Sequence, residues 1–234
     1  SGDDFVATGE AELSSELILD GGSGNDWISF GFRGQGDGLE YVLNSGITLN
    51  FENIVGSAGN DTLTGDTASN AIHGGTGDDL IYGLDGDDAL YGDISKTGSS
   101  HAYDVPDAPY SALGYDHKDT GNDKIFGGSG DDQLFGAGGD DTLDGGTGSD
   151  TLTGGEGSDI FVIRSTDVGT DSISDFTDGT DVLGLDDGLS LSELSITTDE
   201  NGVNIIHDGE ILLQIEGAGA NVIDATDFTS LSED

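Results

Sequence analysis

The chain has 234 residues with 48 Asp and Glu against five Lys and Arg, a formal charge of -43, and 42 glycines but no cysteine. Nucleic acid and anionic membranes are excluded as partners by that charge, and disulfide frameworks and thiolate metal sites by the cysteine count. Only 33% of the residues are hydrophobic, and low hydrophobicity with high net charge normally prevents collapse. A folded state therefore needs a further source of stability.

From the N-terminus, the first pattern is Gly21-Gly22-Ser23-Gly24-Asn25-Asp26-Trp27-Ile28-Ser29, an isolated nonapeptide in which Asp26 is a candidate metal ligand. Ile47–Val55 then alternates apolar and polar residues through Phe51, as a half-buried strand does, and Tyr41-Val42-Leu43 reads as its neighbour. The step from Asp26 to Asp61 is not a multiple of nine, which puts the first nonapeptide in a wider N-terminal coil. Residues 1–55 read as an N-terminal strand cap.

Residues 56–162 fall into nines. The copies are Gly56–Thr64, Gly65–His73, Gly74–Tyr82 and Gly83–Tyr91, then Lys118–Phe126, Gly127–Phe135, Gly136–Asp144, Gly145–Thr153 and Gly154–Val162. Position four is glycine in all of these but one, where Ala68 stands. Position six is Asp61, Asn70, Asp79, Asp88, Asp123, Asp132, Asp141, Asp150 and Asp159, and position eight is always large and apolar. Each nonapeptide divides into a six-residue turn and a three-residue strand, the glycines supplying the positive φ of the turn and the eighth side chain facing inward.

The two runs are separated by an insertion at 92–117 that holds both prolines, Pro106 and Pro109, together with His101, Tyr103, Tyr110 and Tyr115. A loop of this kind in a regular array is often functional, and its tyrosines and histidine suit a sugar, a peptide or a neighbouring subunit. The competing reading is a bulge that shields the seam of the array.

After Val162 the pattern changes. Asp171–Phe176 and Asp181–Leu185 read as strands of a terminal cap, Ser190-Leu191-Ser192-Glu193 as a capping box, and Val203–Ile206 with Ile211–Ile215 as a hairpin around Asp208-Gly209. Residues 163–234 are taken as a β-rich C-terminal cap and a possible secretion signal.

The repeats, best matched at Gly74–Tyr82 and Gly127–Phe135, resemble the repeats-in-toxin (RTX), haemolysin-type nonapeptide G-G-x-G-x-D-x-U-x. The resemblance implies an all-β, right-handed parallel β-roll in which copy n stacks on copy n+2, placing Asp61 over Asp79 and Asp123 over Asp141. Stacked carboxylates repel, and the resemblance implies calcium between them. Calcium takes 6–8 oxygen ligands, for which the turns offer position-six carboxylates and main-chain carbonyls of Gly56, Gly74, Gly83, Gly127, Gly136 and Gly145. Asn70 supplies no charge to its site, while Asp78, Asp87, Asp131 and Asp140 at position five are read as strengthening theirs. Two complete n/n+2 pairs in the first run and three in the second give about five calcium sites or more.

No H-E-x-x-H zinc helix or G-x-S-x-G nucleophile elbow is present, since the four histidines are scattered and the Gly-rich Ser sites are repeat turns. The expectation is a non-enzymatic, extracellular calcium-binding module that folds after one-step (type I) export from a bacterium, with a structural or adhesive role. Its partners would be calcium and an extracellular carbohydrate or protein ligand. Alternatives are a self-assembling surface-layer or filament subunit, and the C-terminal secretion domain of a larger exoenzyme. No stretch suits membrane insertion.

Overall fold

A computed structural model describes residues 2–7, 19–30, 38–44, 48–93, 121–217 and 223–231. It is a β-solenoid whose short strands stack into two long sheets. One sheet runs Phe5–Ala7, Trp27–Ser29, Asn53–Val55, Ala71–Gly75, Ala89–Asp93, Gln133–Gly138, Thr151–Glu156, Asp171–Ile173, then the hairpin strands Glu210–Glu216, Gly202–His207 and Leu194–Thr198. The other runs Glu40–Val42, Thr62–Thr64, Leu80–Asp85, Lys124–Ser129, Thr142–Thr147, Ile160–Ile163, Val182–Leu185 and Phe228–Ser230. Every pairing in the roll is parallel, and only the C-terminal hairpin is antiparallel.

The nonapeptide period produces this because successive copies alternate between the sheets. Position eight therefore returns to the same sheet every 18 residues, as Ile72 does opposite Leu90. The core is consequently two columns: Ile28, Ile54, Ile72, Leu90, Leu134, Leu152, Ile173 and Ile215 in one sheet, and Tyr41, Leu63, Ile81, Ile125, Leu143, Phe161 and Leu183 in the other. From Ile54 to Leu183 these side chains are fully buried. Strands exceed the three residues expected, as in Leu80–Asp85 and Lys124–Ser129, because the next copy's first residues continue the ladder.

The insertion does not break the stack. Tyr82 pairs with Phe126 and Tyr91 with Phe135, so the two runs form one continuous ladder. Their rings stack at centroid distances of 5.2 and 4.9 Å. His73 stacks on Tyr91 at 4.2 Å; its burial depresses its pKa to about 3 and keeps the ring neutral.

Two expectations at the N-terminal end change. Tyr41 does not neighbour the 47–55 segment: Glu40–Val42 stacks on Thr62–Thr64 in one sheet, whereas Asn53–Val55 lies in the other between Trp27–Ser29 and Ala71–Gly75. The alternation there reflects two pieces, because Thr48–Leu49 instead pairs with Leu19–Asp20. Gly21–Ser29 enters the main stack through its strand, with wider coils on either side.

At the C-terminal end the hairpin forms as read, with a bulge between Ile205 and Ile206. The Ser190 capping box starts a 3-10 turn at Leu191–Glu193, in which the Ser190 N–H and hydroxyl both donate to Glu193 Oε2. Among the described residues no helix is long and apolar enough to cross a membrane.

Candidate metal centres

Each position-six side chain lies where the turn enters the strand, almost fully buried: Asp79, Asp88, Asp123, Asp132, Asp141, Asp150 and Asp159 are at most 2% exposed. They form two columns, one on each edge of the roll. In the first, the Asp61 N–H donates to Asp79 Oδ1 (2.7 Å), Asp79 to Asp123 (2.6 Å), Asp123 to Asp141 (2.8 Å) and Asp141 to Asp159 (3.0 Å). In the second, Asn70 donates to Asp88 (2.7 Å), Asp88 to Asp132 (2.7 Å) and Asp132 to Asp150 (2.8 Å). Asp181 and Asp171, outside the nonapeptides, extend the columns by accepting from Asp159 and Asp150. Their signal in the sequence is the position-four glycine and the apolar eighth position kept around each Asp, in Gly169-Thr170-Asp171-Ser172-Ile173 and Gly179-Thr180-Asp181-Val182-Leu183, without the first two glycines of the repeat.

Because the stack is continuous, the n/n+2 pairs number seven, not the five of two separate runs. The added pairs, Asp79–Asp123 and Asp88–Asp132, bridge the insertion.

The second oxygen of most of these carboxylates has no hydrogen-bond partner. Oδ2 of Asp26, Asp79, Asp88, Asp132, Asp141, Asp150 and Asp159 is buried and unsatisfied. An ionised oxygen in that state is costly unless a cation compensates it. Burial, reinforced by neighbouring carboxylates, pushes the pKa of Asp79 up to about 9, Asp141 to about 8, Asp88 to about 7, and Asp132 and Asp159 to about 6.

The first-position glycines complete the donor set. On the Cα of Gly74 converge Asp79 Oδ2 and the carbonyl oxygen of Gly92; on Gly83, Asp88 Oδ2 and the Gly127 carbonyl; on Gly127, Asp132 Oδ2 and the Gly145 carbonyl; on Gly136, Asp141 Oδ2 and the Gly154 carbonyl. A Cβ at any of these would overlap both oxygens. Among the described residues no three His, Cys, Asp or Glu side chains form a cage by themselves, so carbonyls must share the ligation. Hard oxygen donors without imidazole or thiolate suit calcium, not zinc or iron.

The same geometry corrects the repeat boundary. The glycine facing Asp123 Oδ2 is Gly92, with the Gly136 carbonyl beside it. Gly92, not Lys118, is the first position of the repeat that ends at Phe126, and the inserted segment enters after Asp93 and returns before Gly121, whose N–H donates to Asp93 Oδ2 (3.2 Å). The run Tyr91-Gly92-Asp93 carried that signal.

Position five lies elsewhere. Asp78, Asp87, Asp131 and Asp140 form exposed outer ladders, accepting N–H donors from Asn122, Asp131, Ser149 and Ser158 of the next coil, and do not join the buried oxygens. His101, Tyr103, Tyr110 and Tyr115 lie outside the described residues.

These columns define a calcium-binding β-roll. A family model described as RTX calcium-binding nonapeptide repeat (4 copies) matches residues 18–32, 50–70, 64–94, 119–143 and 135–162, and those segments are RTX calcium-binding repeats. No curated protein matches the chain. Among solved structures, the AlgE6R3 subunit of the Azotobacter vinelandii mannuronan C5-epimerase is 28% identical at a TM-score of 0.36, over 48% of this chain and 75% of that one. The extracellular lipase LipA from Serratia marcescens is 18% identical at a TM-score of 0.31, over 72% of this chain and 39% of that one.

Proposed function

We propose that the chain is an extracellular, non-catalytic calcium-binding module that stays unfolded where calcium is scarce and folds on calcium after type I export, serving a structural or adhesive role. The observation that carries this reading is the pair of buried carboxylate columns with unsatisfied Oδ2 atoms in a chain of charge -43. Without cations the columns repel and each buried charge is penalised; with calcium, binding free energy becomes folding free energy. RTX repeats are typical of secreted proteins, which supports export into calcium-rich surroundings. In this reading the inserted segment, with Tyr103, Tyr110, Tyr115 and His101, contacts an extracellular carbohydrate or protein.

Circular dichroism during a calcium titration tests the switch: strand content rises with calcium and collapses in chelator. Equal strand content under both conditions would overturn it.

A second reading, a self-assembling surface subunit, is favoured by one feature. Leu194–Thr198 ends the eleven-stranded sheet with five uncharged residues, including the 40%-exposed Ile196, and uncharged edges of this kind promote pairing between chains. Sedimentation with and without calcium separates the readings, since calcium-triggered polymers support assembly and a compact monomer opposes it.

A further inference from the structure

The position-six columns are not uniform, and the difference follows the residue four places earlier, at position two. For Asp26, Asp79, Asp88, Asp132, Asp141, Asp150 and Asp159 that residue is Gly22, Gly75, Leu84, Gly128, Ala137, Gly146 and Gly155, and all seven have positive φ, from 84° to 126°. All seven partnered carboxylates carry an unsatisfied Oδ2.

At three rungs where position two lacks positive φ, its N–H turns onto the side chain of position six. Ser57 N–H donates to Asp61 Oδ2, and the Ser57 hydroxyl donates to Asp61 Oδ1. Asp66 N–H donates to Asn70 Oδ1 (2.8 Å), and Thr177 N–H to Asp181 Oδ2 (2.7 Å). None of Ser57, Asp66 and Thr177 is among the described residues with positive φ. Asp123, whose second position is Asp93 at the neck of the insertion, and Asp171, preceded four places earlier by Asp167 without positive φ, are assigned to neither group.

We infer that the backbone at position two decides which position-six side chains take calcium: Asp26, Asp79, Asp88, Asp132, Asp141, Asp150 and Asp159 do, whereas Asp61, Asn70 and Asp181 are capped by the protein itself. Leu84 and Ala137 strengthen the inference, because a residue with a Cβ holds positive φ only at a cost of roughly 1 kcal/mol or more. Their conformation is imposed by the site, not by glycine's freedom. The inference assigns Asp26, in the irregular N-terminal coil, to the calcium-binding group and removes Asp61, which matches the repeat motif, from it.

This rests on the calcium reading above, and its test separates the two. The full chain is titrated with calcium chloride, and bound ions are counted by native mass spectrometry and calorimetry. Asp61→Asn and Asp181→Asn keep the count of the unsubstituted chain, Asp26→Asn and Asp141→Asn each lose one ion, and Ser57→Gly gains one. Trp27, the only tryptophan, adjoins Asp26. Terbium in place of calcium therefore gives tryptophan-sensitised emission that Asp26→Asn abolishes and Asp61→Asn leaves intact, independently of any loss of fold elsewhere. Loss of an ion in Asp61→Asn, or unchanged counts and emission in Asp26→Asn, overturns the inference while calcium binding stands. No calcium bound by the unsubstituted chain overturns both.

Discussion

Asp79 and Asp123 are 44 residues apart in sequence and adjacent in space: the Asp79 N–H donates to Asp123 Oδ1 at 2.6 Å, the same rung that Asp123 and Asp141 form across 18 residues. The insertion thus leaves a column of the roll without leaving a gap in it.

Deleting residues 94–119 joins Asp93 to Thr120 and creates Gly92-Asp93-Thr120-Gly121-Asn122-Asp123-Lys124-Ile125-Phe126, a complete nonapeptide with the 18-residue spacing restored. The shortened chain is expected to fold with a calcium midpoint within about twofold of the original, because loop-closure entropy changes only slowly with length. A calcium titration followed by circular dichroism checks this. A deletion extending from Gly92 removes a glycine that faces Asp123 and raises the midpoint instead.

The raised pKa values fix the sign of the pH response. Without calcium, Asp79, Asp141, Asp88, Asp132 and Asp159 titrate between about 6 and 9 in the fold, against about 3.9 when unfolded. The unfolded chain therefore loses these protons first, and stability of the calcium-free fold falls as pH rises from about 4 through 9. Acid should order the chain in chelator, seen as a gain of strand signal near pH 4.5. In calcium the dependence reverses, since protons compete with the ion, and the calcium midpoint at pH 5.5 should lie well above that at pH 8. An acid-induced loss of structure in chelator would contradict the arrangement of these carboxylates.

Much of this was legible in the sequence. The column of Asp at position six and the large residue at position eight specify the two-sheet roll and its calcium chemistry, because a nine-residue period leaves the chain few ways to bury one side chain per copy. What the sequence hid was which gaps the stack closes. Gly92 lies before an aperiodic segment, so its place in the repeat of Asp123 emerges only when its Cα is seen against Asp123 Oδ2. The outward position of Asp78 was equally hidden, since adjacent Asp residues look alike in sequence while the turn sends one inward and its neighbour to solvent. Asp181 was read as part of a cap because Gly179 alone precedes it where the repeats carry several glycines, yet it occupies a rung.

Position two allows a test of backbone strain. Leu84 (φ 87°) is 44% exposed, so its side chain contributes little burial while its backbone pays for positive φ. Leu84→Gly is expected to stabilise the calcium-bound protein by about 0.5–1 kcal/mol, the relief of strain exceeding the extra chain entropy of glycine. Gly128→Ala, one coil further on, should be destabilising by about 2 kcal/mol or more, because its φ of 112° is unfavourable and the added Cβ would overlap the Leu84 carbonyl oxygen. Thermal unfolding in saturating calcium measures both. A stabilised Gly128→Ala would show that the turn can rearrange.

Arg164 joins carboxylates of successive coils through its guanidinium. It contacts Asp144 on one side, and Asp186 (3.0 Å) and Asp187 (3.8 Å) on the other. These carboxylates hold its charge more firmly than usual, raising its pKa despite the opposing effect of burial. Asp144 is nearly buried, with a side chain 5% exposed, so removing the cation strands a desolvated charge. Arg164→Met should therefore cost about 2–3 kcal/mol, somewhat below the range for a fully buried pair because Arg164 itself is 22% exposed. Asp187→Asn, at the exposed end of the cluster, should cost under about 1 kcal/mol. Pairing Arg164→Met with Asp144→Leu should recover much of the loss, because no unpaired buried carboxylate is left. Thermal unfolding of the two single variants and the double variant in saturating calcium gives the coupling, and additive losses would mean that the Arg164–Asp144 contact contributes little to holding the C-terminal coils on the roll.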